Sequence, residues 1–91
     1  INRDKPVVVE FYTTACSHCK KLAGALNKLS EEKGDDVFFG KCNIDQEALL
    51  QSRFDISAVP TLLFIKNGEI KNRLVGEVHP LIIQEEIKKL A

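Results

Sequence analysis

Apolar residues fall along this chain with two different periods, and the switches between them mark out its elements. From Pro6 to Tyr12 the run Val7-Val8-Val9, Phe11 and Tyr12 is apolar at successive positions, as central strands covered by helices on both faces are. Cys19, Leu22, Ala23, Leu26 and Leu29 then recur at three- and four-residue intervals, which predicts a helix from about Cys16 to Lys33 with one apolar face. Gly34-Asp35-Asp36 ends it. Gly24 inside that helix costs about 1 kcal/mol relative to alanine, so it predicts a bend or a close packing contact.

The strand period returns from about Val37 to Asn43, which reads as a second buried strand, and a short helix follows from about Gln46 to Arg53. Thr61 to Lys66 and Glu69 to Val75 predict two more strands joined by Asn67-Gly68, a dipeptide suited to a tight hairpin because both residues accept positive φ. Pro80 fits the first turn of a last helix, where its missing N–H is not needed. Ile83, Ile87 and Leu90 give that helix an apolar stripe, and Lys88 and Lys89 complement its negative end. Strand, helix, strand, helix, hairpin, helix predicts an α/β sandwich with a mixed sheet.

Composition narrows the function classes. The 91 residues predict one domain, 1–91, which can bury roughly 60–65% of its unfolded surface. Thirteen basic and thirteen acidic residues are interleaved and cancel, which argues against a nucleic acid or a membrane surface as partner. No apolar run approaches the roughly 18 residues of a membrane span, and nothing at the N-terminus resembles a signal peptide. Since the chain starts at Ile1, it can be a mature form, a trimmed chain or one domain of a longer protein. Three cysteines, an odd number, argue against a secreted disulfide framework. Cys42 lies in the second strand and reads as a small core hydrophobe; the alternative is a third oxidisable thiol.

The chemistry concentrates in Ala15-Cys16-Ser17-His18-Cys19-Lys20-Lys21-Leu22. A strand that runs into a C-x-x-C at a helix start is a redox geometry. Side chains three apart on a helix lie within about 5–6 Å, close enough for a disulfide to form and break without backbone travel. Cys16 falls where the first helical N–H groups lack partners and the dipole end is positive, and both effects stabilise a thiolate. Cys19, one turn in and on the apolar face, is expected to be shielded. Cys16 therefore attacks and Cys19 resolves; a structural disulfide or a pair of metal ligands is the alternative. His18 can place positive charge beside the thiolate and make the couple more oxidising, or it can be a solvated surface histidine. Glu10 interrupts an otherwise apolar strand. Desolvation would raise its pKa and make it a proton acceptor for Cys19, with Lys41 on the next strand moderating the shift; a structural ion pair is the bland account. Pro60 at the head of the third strand is ordinary on local grounds, His79 reads as a helix-start residue, and Lys20 and Lys21 as a solvated face.

The segments Val7-Val8-Val9-Glu10-Phe11-Tyr12, Cys16-Ser17-His18-Cys19-Lys20, Lys41-Cys42-Asn43-Ile44-Asp45, Val59-Pro60-Thr61-Leu62-Leu63-Phe64-Ile65-Lys66-Asn67-Gly68-Glu69 and Val75-Gly76 together resemble the thioredoxin family, over nearly the whole chain. The resemblance implies a three-layer α/β/α sandwich with a mixed central sheet of about four strands, lacking the family's usual first strand and helix. It implies that Pro60 is cis and packs against the disulfide, that Val59 offers its backbone to an extended substrate strand, and that Gly76 borders the substrate groove. Glu10 falls on the family's buried aspartate, and Lys41 on that residue's lysine neighbour. Departures are Ala15 and Tyr12 where the family has tryptophans, Ser17-His18 for Gly-Pro, and Gly24 for a kinking proline. A histidine at position 18 is more like protein disulfide isomerases and periplasmic disulfide oxidants.

The expected activity is thiol–disulfide exchange on protein disulfides, with net direction open between reductant and oxidant or isomerase. No organic cofactor or metal is expected. Expected partners are protein disulfide substrates and an electron-donating reductase or dithiol protein, thioredoxin reductase among the candidates. A monomer in the cytoplasm is expected, with a periplasmic location or a place within a larger protein as alternatives. Two rivals stand beside this reading: a non-catalytic adaptor that binds peptides near Pro60, and a module that binds metal through Cys16 and Cys19.

Overall fold

A computed structural model describes residues 5–34, 36–76 and 78–90. Asp35, expected among the helix-ending residues, lies outside the described residues. The elements are β1 (Val7–Tyr12), α1 (Ser17–Lys33), β2 (Phe38–Asn43), α2 (Ala48–Arg53), β3 (Thr61–Lys66), β4 (Glu69–Val75) and α3 (Pro80–Leu90). The four strands form one sheet in the order β2-β1-β3-β4. β1 and β2 run parallel, and the other neighbours antiparallel. The β3–β4 hairpin turns at Asn67 (φ 54°) and Gly68 (φ 80°), the two positive values that a tight right-twisted hairpin requires.

The core divides into two layers around the sheet. On one face Val8, Leu62 and Phe64 meet Leu22, Leu26 and Leu29 of α1 and Ile83, Ile87 and Leu90 of α3. On the other, Phe11, Cys42, Ile56 and Leu63 pack with Leu50 and Phe54 at α2. Alternation along β1 thus sends Val8 and Glu10 toward α1 and Phe11 toward α2, which is why the run had to be apolar on both sides. This three-layer α/β/α arrangement is the expected one.

Three details differ from expectation. β2 is an edge strand rather than a buried one: Phe38 is 49% exposed, Cys42 alone is buried, and the buried Val37 precedes the strand. A local apolar run cannot reveal which side of a strand lacks a neighbour. α2 starts at Ala48, two residues late, because Asn43 Oδ1 accepts from the Asp45 N–H (3.0 Å) and holds 43–45 in a turn. Gly34 closes α1, as expected, in right-handed conformation (φ −59°); glycine is needed there because a Cβ would lie 2.5 Å from the Ser30 carbonyl oxygen. Gly24 is exposed, with nothing within 4 Å of where its Cβ would be, so no packing contact explains it. Gly24→Ala is therefore expected to stabilise the protein by about 0.5–1 kcal/mol, read as a higher denaturant midpoint at unchanged slope. A lower midpoint would mean that the glycine is structurally required.

The strand register decides where the loops meet. Tyr12 at the end of β1 pairs with Asn43 at the end of β2, Phe11 with Thr61 at the start of β3, and Thr61 with Val75 at the end of β4. The segments 13–16, 44–47 and 57–60, and Gly76 after β4, therefore all leave or enter the sheet at one end.

Candidate active site

Cys16 is the N-cap of α1. Its backbone is extended (φ −85°, ψ 113°), and its sulfur accepts a hydrogen bond from the Cys19 backbone N–H at 3.1 Å. A residue leaving a strand must end its extended conformation somewhere, and a cap residue is where its side chain can meet the unpaired N–H groups of the helix. Cys16 and Cys19 form a disulfide with Cα atoms 5.2 Å apart. Cys16 is partly exposed, whereas Cys19 is only 2% exposed beneath it. His18 stands exposed in the first turn of the helix between them.

Below the disulfide a cleft of about 170 Å³ is lined by Glu10, Tyr12, Thr13, Thr14, Cys19, Lys20, Ala23 and Lys41. It brings together three of the residues singled out in the sequence: Glu10, Cys19 and Lys41. Glu10 is 1% exposed, and neither of its carboxylate oxygens has a hydrogen-bond partner. Burial pushes its pKa from 4.5 up to about 7, and the positive charge of Lys41 opposes only part of that rise. Lys41 is the register partner of Glu10 across the β1–β2 pair, but it sits on the edge strand and is itself exposed. Thr13 and Thr14 at the cleft were not legible as site residues. Their only signal is position between β1 and Cys16, and Asn43 Nδ2 donates to Thr14 Oγ1 at 3.4 Å from a strand 29 residues away.

A second group lies at the same end of the sheet. The Val59–Pro60 bond is cis, Pro60 is buried, and the Gly76 N–H donates to the Pro60 carbonyl at 2.8 Å. Gly76 holds φ at 90°, a conformation that penalises any side chain. Val59 is partly exposed, and Thr61 Oγ1 donates to the Ala58 carbonyl at 2.7 Å. His79 belongs to neither group: its Nδ1 accepts from the Leu81 N–H at 3.1 Å and caps α3. Cys42 is buried against α2, where desolvation, and then the charge of Glu47, push its thiol pKa up and leave it less reactive. Among the described residues no group of three His, Cys, Asp or Glu could share a metal ion.

Comparison with known proteins bears on this geometry. The Thioredoxin family model matches residues 1–89. Mitochondrial thioredoxin of Mus musculus is 36% identical over 90 residues, 99% of this chain and 54% of that protein, so the chain spans about half the length of that relative. Thioredoxin-2 of Saccharomyces cerevisiae is 36% identical over 84 residues, covering 92% of this chain and 79% of the relative. Among solved structures, oxidised mitochondrial thioredoxin 3 of Saccharomyces cerevisiae matches with a TM-score of 0.87 at 30% identity, over 98% of this chain and 81% of the other. Thioredoxin of Fasciola hepatica matches with a TM-score of 0.91 at 28% identity, over 99% and 85%.

Proposed function

The chain belongs to the thioredoxin family, and from that premise we propose that it exchanges electrons with protein disulfides through Cys16 and Cys19. The observation that carries the reading is the placement of Cys16: a partly exposed sulfur at a helix N-cap, bonded by an N–H of the first turn and paired with a buried sulfur one turn on. Starting from the dithiol, the Cys16 thiolate attacks one sulfur of a substrate disulfide. A Cys16–substrate disulfide forms, and the other substrate sulfur leaves as a thiolate. Glu10 takes the Cys19 proton across the cleft. The Cys19 thiolate then attacks the Cys16 sulfur, releases the second substrate thiolate and leaves the Cys16–Cys19 disulfide. Two electrons have passed to the substrate, and a reductase or dithiol protein restores them.

Lys41 sets how far the Glu10 pKa rises. Val59, Pro60 and Gly76 form the wall against which an extended substrate strand lies, since they share the sheet end from which Cys16 emerges. Among the described residues no helix is long and apolar enough to cross a membrane. The named relatives include mitochondrial proteins, and a cytoplasmic place for this one is testable by cell fractionation.

Alkylation of the reduced protein tests the order of the thiols. At pH 7 iodoacetamide is expected to modify Cys16 several-fold faster than an ordinary surface cysteine, and Cys19 last. Cys19 reacting first would reverse the assignment. His18→Pro tests the direction of the couple. Removing an imidazole that can carry positive charge near the thiolate disfavours the reduced form, so the reduction potential is expected to fall, by about 30 mV for each 1.4 kcal/mol of lost stabilisation. An unchanged or higher potential removes His18 from the mechanism.

A further inference from the structure

We propose that Arg73 is a positioning residue for substrate recognition, holding the loop 54–60 so that the Val59 backbone stays fixed for an extended peptide; this rests on the exchange activity above. Arg73 lies on β4, and its guanidinium donates twice: Nη2 to the Phe54 carbonyl at 2.7 Å and Nη1 to the Asp55 carbonyl at 3.1 Å. These carbonyls follow the last residue of α2, where the helix leaves acceptors without intrahelical partners. A planar guanidinium can serve two such oxygens at once; an ammonium cannot do so in the same geometry.

A β-bulge aims this side chain. The β3–β4 pairing runs Lys66↔Glu69 and Ile65↔Ile70, then shifts at Phe64/Ile65 so that Phe64 meets Asn72 and Leu63 meets Arg73. Without the shift, Arg73 would oppose Leu62, whose side chain belongs to the α1–α3 layer. With it, Arg73 opposes Leu63, which belongs to the α2 layer. The inserted residue therefore delivers the cation to the face where the loop begins.

The loop needs such a clamp. It begins with Phe54, whose ring packs 5.8 Å from that of Phe11, and passes through Asp55 in left-handed conformation (φ 56°). Ile56 is buried and exchanges bonds with Gln51: its N–H donates to the Gln51 carbonyl at 2.9 Å, and its carbonyl accepts from Gln51 Nε2 at 3.2 Å. Ser57 and Ala58 are exposed, and no helix or strand includes residues 57–60. The loop is thus gripped twice, by Arg73 of β4 at its start and by the N–H of Gly76, just after β4, on the Pro60 carbonyl at its end. A peptide that pairs with the Val59 backbone meets a preset partner, so the ordering cost is met in folding rather than in binding.

The test compares a protein disulfide, insulin, with a small one, dithionitrobenzoate, which needs the Cys16 thiolate but no backbone pairing. In Arg73→Gln the KM for insulin is expected to rise about tenfold with kcat within about twofold, while the rate with dithionitrobenzoate is unchanged. Arg73→Lys, which can bond one of the two carbonyls, is expected to fall between and serves if the glutamine variant does not fold. Amide hydrogen exchange in 55–59 is expected to quicken in both variants without change in β1 or β3. An unchanged KM in a folded variant, or equal losses on both disulfides, overturns the inference. If the unaltered protein reduces neither disulfide, the exchange activity itself fails, and the clamp then stands or falls on hydrogen exchange alone.

Discussion

Cys16→Ser is expected to abolish reduction of insulin disulfides, lowering kcat/KM by about a thousandfold or more. A serine hydroxyl can occupy the N-cap and accept the same N–H, so the fold should survive the change. What it cannot supply is an anion at neutral pH, and without the anion no substrate sulfur is attacked. Cys19→Ser should behave differently because Cys19 is shielded and, in the proposed mechanism, acts second. The first attack still occurs, and the protein accumulates as a Cys16–substrate disulfide visible by mass spectrometry under non-reducing conditions. Equal rates for the unaltered and Cys16→Ser proteins would instead favour a peptide-binding adaptor.

The second large effect is on stability. Glu10 has a folded pKa of about 7 against 4.5 for an ordinary carboxyl. Between these values the native protein holds a proton that the unfolded chain has released, so stability falls as pH rises through the window. The shift corresponds to about 3 kcal/mol, fully lost above pH 7 and fully retained below about pH 4.5. Glu10→Leu removes the ionisable group. It is expected to match the unaltered oxidised protein near pH 4.5 and to exceed it by about 3 kcal/mol at pH 8 in denaturant unfolding. Parallel pH profiles would mean that Glu10 is not desolvated in solution. The same change should slow release of the mixed disulfide at neutral pH by about a hundredfold, because in the proposed mechanism Cys19 loses its proton acceptor. Greater stability with lower activity is the pattern of a buried charge kept for chemistry.

Most of the fold was legible because its signals are local. The uninterrupted apolar run at Val7-Val8-Val9, the helical stripe from Cys19 to Leu29 and the Asn67-Gly68 turn each carry their own periodicity or φ preference. The errors fell where a neighbour decides. Phe38 looked buried, yet the sheet order leaves β2 at an edge. Of the two readings of Gly24, a bend or a close packing contact, the second fails because the residue faces open space.

Candidate chemistry divides in the same way. A thiol pair three apart at a strand-to-helix junction is a property of adjacent residues, and an acid inside an apolar run is conspicuous in one dimension. That Glu10, Cys19 and Lys41 share one cleft depends on β1–β2 register and on how α1 lies over the sheet. The aim of Arg73 at carbonyls 18 and 19 residues earlier in the chain depends on a bulge in the β3–β4 pair. Short-range order along the chain determined the elements and the reactive pair, because backbone preference and side-chain period act over a few residues. Tertiary structure alone decided which groups lose their water and which meet across the sheet, because desolvation and register arise only when distant segments pack.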